Sequence, residues 1–475
     1  MSSALAWAVA VCFGYLALVY GSYAVLLAYS VLERSVRSRD RSAEDFRTLA
    51  ESTFTRPVGV VVAVYNERPV VVASVRSCLD QDYPQHDVIV VDDGSTDGTF
   101  EELAASFDLR PEAVYPRVVF RTLPVLGTYR SSADPRLLVV RKRNGGKADA
   151  LNCGINFVRF PYVLGVDGDT VYRRDALLKG MRLIVRDPAR VVGVTSHVAI
   201  SLEPERSLDE VDGSRRVDSN LISNFQHLDY LRSFMNNRLA WSRLGFMLCA
   251  VGAFHIWRRD VLEEVGGFSR EFTCEDIELT FRIHERFRRE ERDYEILSLP
   301  DTIATTEGPS TIRALVKQRA RWQRVIAETV WHFRRMFLNP RYGTVGLLGV
   351  PFYLVTEVLA PLFEVAAVVT TLLAAWSGVL DWLDFVLALV AMSGVTAVLS
   401  AVAVMLEDRT SRAYRLRDLV RLQVVSALDL LLYRPILMWA RLRGTLDFLR
   451  GRRDWDKFER NQRVVAAPVP ATDPV

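Results

Sequence analysis

The chain has 475 residues, 60 Lys+Arg against 57 Asp+Glu, and a formal net charge of +3. Hydrophobic residues make up 50% and charged residues 25%, which excludes a mostly disordered chain. The near-neutral balance argues against a dedicated nucleic-acid binder. Five Cys without CxxC or Cys/His spacing argue against a disulfide framework or zinc site and fit a reducing compartment.

No charged side chain occurs from Ala4 to Leu32, enough for one tilted membrane-spanning helix. No basic region precedes it, unlike a cleaved signal peptide. Arg34, Arg37, Arg39 and Arg41 follow, which places Met1 outside and the rest of the chain in the cytoplasm. Val58–Val64, Val88–Val91 and Tyr162–Val166 read as buried parallel strands, with a helix at Val70–Leu79 between the first two. Alternating strands and helices predict an α/β sheet with ligands at the carboxyl ends of its strands.

The second strand runs into Asp92-Asp93-Gly94-Ser95-Thr96-Asp97-Gly98, and the third into Asp167-Gly168-Asp169. Two carboxylates flanking a glycine suit Mg²⁺ or Mn²⁺ shared with a diphosphate, and the same residues also make an ordinary polar turn. Asp108–Asp134 reads as a surface loop. Asn144-Gly145-Gly146-Lys147 precedes a helical stretch and resembles a phosphate cradle, though it is not a Walker A loop; the alternative is a glycine turn. Glu275-Asp276 opens an amphipathic helix with Ile277, Leu279, Phe281 and Ile283. Carboxylates there either complement the helix dipole or act as a general base. Gln318, Arg321 and Trp322 share one helix face. Arg offers a fork for phosphate and Trp a flat face for a sugar; a membrane-surface helix is the alternative.

Phe352–Trp376 and Phe385–Leu406 read as two spanning helices joined by a short turn. Pro351 and Pro361 predict a kinked start, with Tyr342–Val350 along the interface. Glu357 and Glu364 fall on one face of the first of these helices. They either line a passage for a glycan or pair with an arginine such as Arg341 or Arg434. Leu419–Trp439 is apolar but carries Arg421, Asp429, Arg434 and Pro435, with basic flanks on both sides. It reads as an interfacial or re-entrant helix, with a fourth span as the alternative. Residues 464–475 read as a disordered tail.

Taken in order, Val64-Tyr65-Asn66-Glu67, Asp92-Asp93-Gly94-Ser95, Gly146-Lys147, Asp167-Gly168-Asp169, Glu275-Asp276 and Gln318-x-x-Arg321-Trp322 carry a resemblance. The chain resembles the membrane-integrated family-2 glycosyltransferases over residues 58–325. That family includes poly-β-1,6-N-acetylglucosamine, hyaluronan and chitin synthases and the bacterial cellulose synthase catalytic subunit. The nearest likeness is to the poly-N-acetylglucosamine synthase type.

The resemblance implies a GT-A, Rossmann-like nucleotide-sugar-binding domain inserted between transmembrane and interfacial helices. The expected division is 1–54 for an anchor and linker, 55–338 for the GT-A domain, 339–440 for a transmembrane hairpin plus the interfacial helix, and 441–475 for a basic tail. Tyr65 and Glu67 would lie at the base and ribose. Asp93 would accept from the uracil with Asp92 beside it, and Lys147 would touch the diphosphate. Asp169, with Asp167, would hold Mg²⁺ or Mn²⁺. Asp276, next to Glu275, would be the general base. Gln318 and Arg321 would steady the leaving group, and Trp322 would stack on the acceptor. Val251-Gly252-Ala253 resembles an acceptor-site stretch, and Trp455-Asp456-Lys457-x-x-Arg460 a C-terminal signature.

The implied reaction is inverting transfer from a UDP-sugar to the end of a growing β-linked polysaccharide, through an oxocarbenium-like state whose departing charge the metal and Arg321 offset. The implied partners are the UDP-sugar donor, a polysaccharide or lipid acceptor, the lipid bilayer and an accessory export subunit, with no nucleic acid. The implied place is the cell (inner) membrane with the catalytic domain in the cytoplasm. Single transfer to a lipid acceptor is the alternative activity, and a non-catalytic sensor or scaffold a more remote one. Two positions depart from the pattern. Cys274 replaces the usual Thr or Glu before the acidic pair. His255 stands where Gly is common, either as a metal ligand or as a locally hydrogen-bonded histidine.

Overall fold

The computed structural model describes residues 2–43, 55–201, 217–378, 381–411 and 414–452. The Trp455–Arg460 motif and the 464–475 tail lie outside the described residues.

The three apolar runs form β1 (Val58–Val64), β2 (His86–Asp92) and β6 (Tyr162–Asp167). β1 pairs in parallel with β2 on one side and β6 on the other. Side chains alternate between faces along a strand, so a strand covered on both sides is apolar throughout. On one face Val60, Val62, Val88 and Val90 pack against Val71 and Val75 of α2 (Val71–Leu79). The first helix, α1, is Ser2–Ala43. On the opposite face Val61, Ile89 and Val91 pack against Leu151 and Ile155 of α3 (Lys147–Phe157).

Among the described residues the sheet has ten strands in the order β3-β4-β5-β2-β1-β6-β9-β8-β10-β7. The remaining strands are β3 (Leu109–Pro111), β4 (Val125–Ser131), β5 (Leu137–Lys142), β7 (Thr170–Tyr172), β8 (Val191–Ser201), β9 (His255–Arg258) and β10 (Glu295–Glu307). The β5–β2–β1–β6 block is parallel, whereas β9 runs antiparallel to both β6 and β8. The sheet is therefore mixed α/β. Residues 108–134 are not simply a loop: β3 and β4 pair antiparallel and extend the sheet edge through β5. Their weak apolar alternation hid them, because an edge pair needs little burial.

The later helices are α4 (Leu221–Leu231), α5 (Glu275–Arg289), α6 (Ile312–His332), α7 (Ala360–Trp376), α8 (Trp382–Ser411), α9 (Leu416–Leu428) and α10 (Arg434–Leu449). Among the described residues three stretches are long and apolar enough to cross a membrane: Ala4–Ser35, Phe385–Asp408 and Leu416–Leu449. Val345–Val358 and Ala360–Trp376 qualify together, bent by 45°. The expected span Phe352–Trp376, for which Pro351 and Pro361 predict a broken or kinked entry, is broken at Leu359. Pro361, which has no amide hydrogen, sits in the first turn of the restarted helix.

The segment expected as an interfacial helix, 419–439, lies within one helical stretch from Leu416 to Leu449, long enough to span. Its second half, α10, packs closely on α6. A Cβ at Gly444 would collide with the Ala320 carbonyl oxygen and lie 2.8 Å from Cβ of Gln323. Helix α8 is tied to the sheet at its far end: Thr302 of β10 donates to Glu407 at 2.6 Å, and Tyr414 donates to the same carboxylate. A third apolar cluster joins α4, α8, α9 and α10 through Leu228, Ala403, Leu422 and Leu437.

Gly444→Leu tests the α6–α10 contact. Overpacking of this kind costs at least about 1–3 kcal/mol. A lowered thermal midpoint for the purified full chain is expected, and an unchanged midpoint would show that the helices do not need this approach.

Candidate functional site

The site forms where β1, β2 and β6 end. Asn66, with φ 55°, takes the left-handed conformation just past β1. Its amide donates to Ser95 Oγ at 3.0 Å, and its side-chain oxygen accepts from the Thr96 amide at 2.8 Å. The Glu67 amide donates to Thr99 Oγ1 at 2.9 Å. These bonds stitch the Tyr65–Glu67 turn to the loop after β2, so both motifs face one cavity.

Asp92 and Asp93 diverge. Asp92 is fully buried, accepts from the Ser95 amide at 3.0 Å and lies 3.5 Å from Arg141 Nε. It does not line the cavity. Asp93 does, but both its oxygens are engaged. They accept from Lys142 Nζ at 2.5 Å, from the Gly145 amide at 3.0 Å and from the Gly146 amide at 2.8 Å. Burial pushes the Asp93 carboxyl up, and Lys142 with these amides opposes it. Lys142 is wholly buried and also pairs with Asp149 at 2.6 Å. Arg270 reaches Asp149 from the other side at 3.2 Å. Gly146 then turns the chain with φ +84°, a conformation L side chains rarely adopt, and α3 begins at Lys147.

Lys147 projects into the carboxylate cluster. Its Nζ lies 2.6 Å from Asp167 Oδ1 and 3.0 Å from Glu275 Oε1. Burial opposes its charge, but Asp167, Glu275 and Asp276 together hold the ammonium well above its ordinary value. Burial likewise pushes Asp167 up, aided by Asp169 and opposed by Lys147. Asp169 accepts from Thr170 Oγ1 at 3.2 Å and from Thr306 Oγ1 at 3.4 Å.

Asp276 sits in the first turn of α5 and accepts three hydrogen bonds. The donors are the Gly252 amide at 2.8 Å, the Ile277 amide at 2.7 Å and the Cys274 thiol at 2.9 Å. Val251-Gly252-Ala253 therefore lies against the acidic pair. Burial and the Asp276 and Glu275 charges push the Cys274 thiol well up, so it stays protonated and donates.

Helix α6 supplies the opposite wall with Gln318, Arg321 and Trp322. Gln318 is buried, and its Oε1 has no hydrogen-bond partner among the described residues. Burial lowers the Arg321 pKa. The Trp322 ring lies 5.9 Å from that of Tyr230, with the Arg319 guanidinium 4.5 Å over it. Asp229 pairs with that guanidinium at 2.8 Å.

A single cavity of about 920 Å³ joins these groups. Tyr65, Glu67, Asp93, Lys147, Asp167, Asp169, Glu275, Asp276, Gln318, Arg321 and Trp322 all line it. It continues between the apolar helices past Tyr20, Tyr23, Glu357, Leu437 and Arg441. Glu357 and Glu364 pair with Arg441, at 3.0 and 3.6 Å, and not with Arg341 or Arg434. Sequence reading missed Lys142, Asp149, Asp229, Tyr230, Arg270 and Arg441 as contributors, because their partners are remote in the chain. His255 is buried beside Gly165, outside the cavity wall. Neither ring nitrogen has a hydrogen-bond partner among the described residues, so it is not the locally bonded histidine expected. Burial and Lys147 push its pKa down to about 3, leaving it neutral.

Among the described residues no cluster of three or more His, Cys, Asp or Glu could hold a metal alone. Asp167 and Asp169 offer hard oxygens at the cavity wall. That donor set fits a Mg²⁺ or Mn²⁺ that completes its shell on a bound diphosphate.

The mixed sheet with acidic motifs at its strand ends has the GT-A fold. Residues 59–266 match the family described as Glycosyl transferase family 2, and residues 214–424 match Glycosyl transferase family 21. Two overlapping segments of the chain thus match glycosyltransferase families, and among the described residues it has helices apolar enough to cross a membrane. It is similar to poly-β-1,6-N-acetyl-D-glucosamine synthase of Staphylococcus epidermidis, 25% identical over 267 residues, 56% of this chain and 53% of that one. The synthase of Staphylococcus aureus strain COL is 23% identical over 55% of this chain and 52% of its own. The match spans about half the length of these curated relatives. In fold the chain is similar to a mannosyltransferase of Pyrobaculum calidifontis solved with GDP-Man and Mn²⁺. The TM-score is 0.55 and the identity 18%, covering 94% of this chain and 99% of that one.

Two predictions follow from this geometry. Lys142→Met strands Asp93 and Asp149 without their shared ammonium, a loss of about 3–5 kcal/mol. Denaturant unfolding of the full chain reads it. Cys274 should be alkylated by iodoacetamide at pH 8 more slowly than the same cysteine in the unfolded chain. Peptide mass spectrometry compares the two, and equal rates would contradict a thiol held protonated.

Proposed function

We propose that this protein transfers a sugar from a UDP-sugar, with inversion, to the end of a growing β-linked polysaccharide at the cytoplasmic face of the cell membrane. Residues 55–338 form the catalytic region, and the flanking helices anchor it and open a route for export, with an accessory subunit as partner. One observation carries the reading. The acidic pairs, Lys147 and the α6 face converge on one cavity that continues between the apolar helices. The likeness to polysaccharide synthases supports the donor and acceptor classes. Arg34, Arg37, Arg39 and Arg41 after the first apolar helix support the orientation.

Asp276 is the general base. Its three hydrogen bonds orient one carboxylate oxygen toward the acceptor hydroxyl. As the hydroxyl loses its proton to Asp276, its oxygen attacks the anomeric carbon from the face opposite UDP. The bond to the diphosphate breaks, and an α-linked donor gives a β-linked product. Asp167 and Asp169 would hold the divalent cation, which supplies charge to the departing diphosphate. Lys147, Arg321 and Gln318 bind that same leaving group. Glu275 keeps Lys147 beside the base. Tyr65 and Glu67 flank the nucleoside. Asp93 accepts from the uracil, with its carboxylate held in place by Lys142 and the Gly145 and Gly146 amides of the cradle. Asp92 supports that loop from below. Trp322 stacks on the acceptor sugar.

A second reading is single transfer to a lipid acceptor. The opening of the cavity between helices at Tyr20, Leu399 and Leu437 favours it. Incubation with a panel of UDP-sugars and Mg²⁺ or Mn²⁺, followed by product sizing, separates the two. Long chains support the first reading, one glycolipid supports the second, and no product from any donor defeats both. Asp276→Asn should lower turnover by at least about 100-fold while UDP binding, read by calorimetry, stays within about twofold. Retained turnover would remove the base assignment.

A further inference from the structure

We infer that Lys147 is an exchange latch that makes nucleotide and divalent cation bind together. The inference rests on the function proposed above and adds a coupling between its two ligands.

The Lys147 ammonium lies 2.6 Å from Asp167 Oδ1, so it occupies an oxygen of the candidate cation site. It also lies 3.0 Å from Glu275. The same ammonium is near the acceptor-side loop: a Cβ at Gly252 would sit 2.7 Å from Nζ and 3.2 Å from Asp276 Oδ2. Lys147 therefore stands where three acidic residues meet. An ammonium and a divalent cation on one carboxylate repel each other, and each wants the same lone pairs. A cation arriving alone must displace Lys147 and leave the ammonium without Asp167.

A diphosphate changes this balance. Its oxygens offer Lys147 a new partner of the same sign as Asp167. The Lys147 side chain is long and a quarter exposed on the cavity wall, so it can swing without unfolding α3. Once Lys147 pairs with the diphosphate, Asp167 is released and needs a new positive partner, because a half-buried carboxylate left beside Asp169 and Glu275 without a cation is disfavoured. The cation fills that need. Nucleotide binding thus raises cation affinity, and by linkage the cation raises nucleotide affinity by the same factor. In the absence of nucleotide the latch keeps free cations off the site.

The test measures Mn²⁺ binding to the purified full chain by electron paramagnetic resonance, with and without UDP. In the wild type, UDP should tighten Mn²⁺ binding by roughly 5- to 150-fold. Lys147→Gln and Lys147→Met should each bind Mn²⁺ alone at least about fivefold more tightly than the wild type, and the gain from UDP should shrink. Lys147→Arg should keep the wild-type pattern. Mn²⁺ binding by both neutral variants that is unchanged or weaker without UDP would overturn the latch while leaving the metal assignment intact. A wild type that binds no Mn²⁺ even with UDP would overturn the metal assignment and the latch with it.

Discussion

The site depends on two ammonium groups set in a cluster of carboxylates. Lys142 lies fully buried between Asp93 and Asp149. Lys147, five residues on, lies between Asp167 and Glu275. Without these cations these four acidic side chains would lie close together with little compensating charge, and like charges away from water are expensive. The two lysines differ in kind. Lys142 has no exposure and holds the strand-end loops in register. Lys147 is partly exposed on the cavity wall and can change partners. One fixes the cradle, and the other works within it.

Around that centre the apolar helices complete the cavity as well as anchoring it. Helix α6 carries Gln318, Arg321 and Trp322 toward the acids and presents its other side to α10 at Gly444. Gln323, one residue past Trp322, donates to the Glu357 carbonyl at 2.9 Å and accepts from Arg441 at 3.1 Å. Arg441 in turn neutralises Glu357 and Glu364. The acids in the apolar run are thereby tied to the helix that carries Gln318, Arg321 and Trp322. Glu357 lines the cavity while it pairs with Arg441.

Much of the sheet was legible because burial on both faces imposes a continuous apolar run, as at Val58–Val64 and Val88–Val91. The ends of those runs also marked the acidic loops correctly, since strand ends are where an α/β sheet exposes its ligand groups. Edge strands β3 and β4 were not legible, because they pack on little and carry no strong pattern. The break at Leu359 was foreshadowed by Pro361, although the two halves read as one span. Within the stretch 416–449 the charges are paired: Asp429 and Arg434 pair with each other at 3.1 Å, and Asp429 also pairs with Arg232 at 3.0 Å.

By itself the sequence determined the alternating strands and helices, the apolar segments and the order of the acidic and aromatic motifs. All of these are local, set by periodicity and by the chemistry of adjacent residues. Only the tertiary structure decided which of two neighbouring aspartates meets the cavity. It also decided that Lys142 serves Asp93 and Asp149, that Arg441 answers Glu357, and that Lys147 sits on Asp167. Each of those outcomes pairs charges on different elements. Pairing energy depends on distance and burial, which the order of residues along the chain does not contain.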